Sequence, residues 1–71
     1  MALADLVRMA NQISANFSYE APSRAAEDVA AHIRSFWTPA MREEIIAYEA
    51  VSGTELSEVT RLALRRLSTA S

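Results

Sequence analysis

The side chains that could do chemistry in this 71-residue chain are few: one histidine, His32, the neighbouring carboxylates Glu43 and Glu44, and a basic cluster of Arg61, Arg65 and Arg66. A histidine can serve as acid, base or metal ligand, but it needs partners, and this chain has neither a cysteine nor a second imidazole. His32 therefore reads as structural, hydrogen-bonded at the edge of a core or part of an interface. Side chains at successive helical positions point about 100° apart, so Glu43 and Glu44 cannot converge on one substrate. The only glycine, Gly53, excludes the glycine-rich loops that cradle phosphate. No catalysis by this chain alone is expected, and no metal or cofactor bound by it.

Composition narrows the remaining classes. The formal charge is −2, from nine carboxylates and seven arginines, with no lysine. A nucleic-acid binder usually carries a clustered basic surplus that neutralises phosphates, and here the surplus is absent overall. The absence of cysteine removes disulfides and thiolate metal sites as staples. A chain this short builds a core worth only roughly 3–5 kcal/mol without help, so a protein partner is a natural source of further stability. No apolar run reaches the length of a membrane span, and the N-terminus lacks a basic region followed by an apolar core, which implies a cytoplasmic protein with no membrane contact.

The elements that must position these residues are helices. Leu3, Leu6, Ala10, Ile13 and Phe17 recur at three- and four-residue spacing and predict an amphipathic helix. Its other face carries Arg8, Asn11 and Gln12, which read either as a solvated surface or as contacts to another chain. After a short break, in which Tyr19 could act as a packing lid, a second helix runs from Pro22 or Ser23 to Trp37. The short linker makes the first two helices antiparallel neighbours. The second helix has the stripe Ala26, Val29, Ala30, Ile33, Phe36 and Trp37. Thr38-Pro39 is an N-cap followed by proline at the first helical position, so a corner bearing two large aromatics is expected there. Trp37 is equally suited to the core and to an interface hot spot.

The third helix spans Pro39 to about Val51 and ends at Gly53 as a left-handed cap, with Met41, Ile45 and Tyr48 facing inward and Ile46 beside Arg42 as a small contact patch. A fourth begins near Ser57 with the stripe Leu56, Val59, Ala63 and Leu67, with Arg61 and Arg65 pointing outward and a tail that frays from about residue 68. The expectation is all-α: one domain over residues 1–71, a small bundle of three to four short helices, the first three making most of the core.

Two blocks of sequence carry a resemblance. Leu6-Val7-Arg8-Met9-Ala10-Asn11-Gln12-Ile13, followed by Phe17, and His32-Ile33-Arg34-Ser35-Phe36-Trp37-Thr38-Pro39-Ala40-Met41-Arg42 resemble the small delta subunit of bacterial soluble, NAD-dependent, molybdenum-containing formate dehydrogenases. The likeness covers the first 42 residues and rests on both blocks at this separation. Ser14 stands where the family favours glycine and Thr38 where aspartate is common, and Glu43-Glu44 replaces a more basic stretch.

The resemblance implies an accessory subunit of a cytoplasmic complex. In that complex the alpha subunit carries molybdenum bis-pterin guanine dinucleotide and iron–sulfur clusters and oxidises formate. The beta and gamma subunits carry FMN, further clusters and the NAD site. The delta subunit is implied to support assembly, cofactor loading or stability of the alpha subunit. Arg8, Asn11, Gln12, His32 and Arg42 are the motif positions that helix packing does not require, and with Trp37 they form the candidate partner-binding set. The rival reading is a free-standing helical adaptor or a DNA-binding regulator acting through Arg61, Arg65 and Arg66.

Overall fold

A computed structural model describes the backbone of residues 1–70 and the side chains of residues 1–69. Four helices make up the described chain: α1 (Leu3–Asn16), α2 (Pro22–Phe36), α3 (Pro39–Val51) and α4 (Glu58–Ala70). The tail expected to fray from about residue 68 includes Ser71, which lies outside the described residues; α4 itself continues to Ala70. Among the described residues, no helix is long and apolar enough to cross a membrane.

Helix boundaries follow local chemistry. Thr38 caps α3 by accepting a hydrogen bond from the Met41 amide at 3.2 Å, and Pro39 occupies the first turn, where its missing N–H costs nothing. After α3 the chain turns at Gly53, whose φ of 68° lies in the left-handed region. Ser57 precedes α4 and caps it, its Oγ accepting from the Thr60 amide at 3.3 Å.

Leu6 and Ala10 of α1, Ala26, Val29, Ala30 and Ile33 of α2, Ile45 of α3, and Ala63, Leu64 and Leu67 of α4 form the core together with Trp37 and Leu56. Burial of each large aliphatic here contributes roughly 1.5–3 kcal/mol. The alanines of α2 let another backbone approach closely, and the most extensive helix pairing is between α2 and α4. The first three helices supply most of the core residues, as their stronger sequence stripes suggest. α4 is nonetheless central: it buries Thr60, Ala63, Leu64 and Leu67, with Leu56 just ahead of it also buried and Val59 only half-buried.

Two aromatic placements differ from expectation. Phe36 is 75% exposed, whereas Trp37 is buried. Trp37 leaves the helix with extended backbone (φ −91°, ψ 146°) after donating its amide to the Ile33 carbonyl at 2.9 Å. That turn carries the indole inward. Its neighbour, the last helical residue, is left facing out. Tyr19 is 80% exposed and covers nothing, so it is no packing lid.

Candidate partner-binding site

The first candidate surface is built on α1. Arg8, Met9, Gln12 and Ile13 occur one turn apart in adjacent pairs, a spacing that presents all four on one side of a helix. The end of α2 contributes His32 and Phe36, and the corner and start of α3 contribute Trp37 and Met41. Together they line an open groove of about 540 Å³. Its floor is apolar, with two methionines whose flexible thioether chains suit an adaptable contact. His32 and Phe36, one helical turn apart, have ring centroids 4.8 Å apart with planes tilted by 40°, so each helps to orient the other.

The basic and polar groups at this groove are Arg8, Gln12 and His32, and no carboxylate of the described residues lines it. Arg8 donates to Asp5 at 3.1 Å within α1, but the arginine side chain is 74% exposed. Pairs this open to solvent contribute at most about 1 kcal/mol, so Arg8 can exchange its partner at small cost.

Four of the six candidate residues thus meet at one groove: Arg8, Gln12, His32 and Trp37. Asn11 and Arg42 are placed elsewhere. The Asn11 amide donates to the Glu55 carbonyl at 2.8 Å and accepts from the Ser57 amide at 2.9 Å, joining α1 to the start of α4. Arg42 reaches back from α3 to the end of α2, donating to the Arg34 carbonyl at 2.9 Å and the Trp37 carbonyl at 3.4 Å. These carbonyls belong to a helix end that has no intrahelical donor for them.

Beneath Asn11 lies a buried polar contact between α1 and α4. The hydroxyls of Ser14 and Thr60 are hydrogen-bonded, and Thr60 Oγ1 is also 2.8 Å from Ser57 Oγ and 3.2 Å from Asn11 Oδ1. One arrangement satisfies every group: Ser14 and Ser57 donate to Thr60, and Thr60 donates to Asn11. The apolar stripes leave out both Ser14 and Thr60. The available sign was phase, since Ser14 falls four after Ala10, and Thr60 falls four after Leu56 and three before Ala63. Phe36 is likewise absent from the expected contact set, although it is the exposed aromatic at the groove.

The basic cluster on α4 is paired within the chain, three arginines with two carboxylates. Arg61 and Arg65 lie 3.5 and 3.0 Å from one carboxylate oxygen of Glu49, a side chain only 9% exposed, and Arg66 lies 3.7 Å from Glu27. Rather than pointing freely outward, Arg61 and Arg65 hold α4 to α3. This leaves little free charge for a DNA-binding reading.

Among the described residues, no group of three or more His, Cys, Asp or Glu could hold a metal ion. With no cysteine in the chain, iron–sulfur ligation by its thiolates is excluded.

A family model of the NADH-dependent formate dehydrogenase delta subunit, FdsD, matches residues 5–64. The chain belongs to this family. The match spans α1 from its third residue, α2 and α3 whole and the first half of α4, so it extends beyond the two blocks of the first 42 residues that carry the resemblance. No curated protein and no solved structure gives a match. The family is that of a subunit of a formate dehydrogenase complex, which implies other subunits as partners.

Proposed function

We propose that this chain is a non-catalytic accessory subunit that docks on the catalytic alpha subunit of an NADH-dependent formate dehydrogenase through the α1–α2–α3 groove. The beta and gamma subunits would belong to the same cytoplasmic complex, which would carry the molybdenum cofactor, iron–sulfur clusters, FMN and the NAD site on those larger chains. Docking would support assembly, cofactor loading or stability of the alpha subunit.

The observation that carries this reading is the meeting of an exposed phenylalanine with an apolar groove edged by Arg8, Gln12 and His32. Large aromatics set in a partly polar surround are favoured as binding hot spots. An arginine at the edge can pair bidentately with a carboxylate of the partner. Family membership supports the choice of complex.

The test is co-purification of the alpha subunit with the tagged chain and with its Phe36→Ser and Arg8→Glu variants. Both side chains are exposed, so circular dichroism should report unchanged helicity. Recovery of alpha should fall for each variant. Recovery equal to wild type in both would remove this groove as the docking site. Trp37→Ala is the wrong probe, because its burial makes loss of folding indistinguishable from loss of contact.

A further inference from the structure

The seven arginines divide unevenly. Five are held by carboxylates: Arg8 by Asp5, Arg24 by Asp28, Arg61 and Arg65 by Glu49, and Arg66 by Glu27. Arg34 and Arg42 have no carboxylate partner among the described residues. The sequence already contains the reason on their own helices. Neither has an acidic residue three or four positions away, where a helical ion pair would form.

These two residues line the same groove. Arg34 comes from the last turn of α2 and Arg42 from the first turns of α3, over apolar surface from Pro39, Ile46 and Leu67, in an open trough of about 540 Å³. The Arg42 guanidinium is fixed by its two bonds to the carbonyls of Arg34 and Trp37. Both bonds use Nη1, which leaves Nε and Nη2 of the planar fork without an acceptor among the described residues. Among the described residues, Arg34 makes no side-chain bond that would be lost on pairing elsewhere.

We infer that this second groove is a clamp for the carboxylates of an acidic protein segment that also presents an apolar side chain. The charge of the groove is complementary to such a segment, and its apolar floor gives the segment something to bury. The fork of a guanidinium matches a carboxylate bidentately. Glu43 lies on the same rim, which disfavours densely charged phosphates and nucleic acid more than isolated carboxylates. The clamp is independent of the α1 groove and does not require the alpha subunit to be the partner.

The experiment uses the full chain, nitrogen-15 labelled, titrated with a synthetic helical peptide carrying leucines and glutamates one turn apart. A second peptide has glutamine at every glutamate. The glutamate peptide should move the Nε–Hε resonances of Arg34 and Arg42 and the methyl resonances of Ile46 and Leu67. Arg34→Gln should weaken binding about tenfold, the weight of one charge-assisted pair, while Arg24→Gln, an equal change of charge elsewhere, should not. Absence of shifts at saturating peptide would overturn the clamp. So would equal binding of the glutamine peptide, equal loss in both variants, or a response of Arg34 to duplex DNA or inorganic phosphate but not to the peptide. None of these outcomes bears on Phe36 or Arg8, so failure here is separable from failure of the α1 docking site.

Discussion

The Asn11 side chain ties α1 to the segment that leads into α4, donating to the carbonyl of Glu55, 44 residues away, at 2.8 Å and accepting from the Ser57 amide at 2.9 Å. One amide therefore satisfies backbone groups at the start of α4 from across the molecule. Asn11→Ala should cost about 1–2 kcal/mol, the range for losing a capping side chain and the bonds it makes. Thermal melting would measure the loss, and amide exchange should localise it to the first turn of α4.

Gly53 permits no side chain without strain. Its φ is 68°, and an added Cβ would come within 3.2 Å of Arg61 Nε and 3.3 Å of the Glu49 carbonyl. Gly53→Ala should destabilise by about 1–2 kcal/mol from the left-handed backbone alone. Chemical denaturation of the purified variant would show a lowered midpoint with an unchanged slope.

Glu49 is the shared acceptor of Arg61 and Arg65. Glu49→Gln removes the charge from the least exposed member of this group. The arginines remain partly in solvent, so the loss should be about 1 kcal/mol and should shrink at high salt. A melting temperature that fell equally at low and high salt would argue that packing, not charge, holds α4 to α3.

The Asp28 carboxyl beside Glu20 is the main cause raising the Glu20 pKa, with desolvation adding to it and Arg24 opposing it. A carboxyl that holds its proton more tightly when folded contributes stability that is fully present below the unfolded value of 4.5 and is lost as pH rises through the raised value. Glu20→Gln keeps a neutral donor in place. The variant should melt higher than wild type at neutral pH, and the difference should close as pH falls below 4.5. A constant difference across that range would place the effect outside this pair.

Helix positions follow from the sequence because their caps are chemically explicit: Thr38 before Pro39, Gly53 after Val51, and Ser57 before Glu58. The inward residues of α1 and α2 follow from apolar spacing. What spacing does not reveal is which of two adjacent aromatics faces in. Phe36 and Trp37 differ by one residue, and the choice is made by the extended backbone at Trp37. Nor does an apolar stripe recognise Ser14 and Thr60, whose burial is tolerable because their hydroxyls bond each other across two helices and Thr60 also bonds Ser57 and Asn11. In the candidate set, Arg8, Gln12 and His32 line the groove, but Asn11 and Arg42 make tertiary bonds that no local pattern encodes.

The bonds from Arg42 to the two carbonyls at the end of α2 have a kinetic consequence. They stiffen the reversal between α2 and α3, and that reversal supplies Trp37 to one groove and Arg42 to the other. A surface already held in its binding shape loses little conformational freedom when a second chain arrives. Encounter at either groove would then be limited by diffusion and orientation, without a preceding rearrangement to slow it.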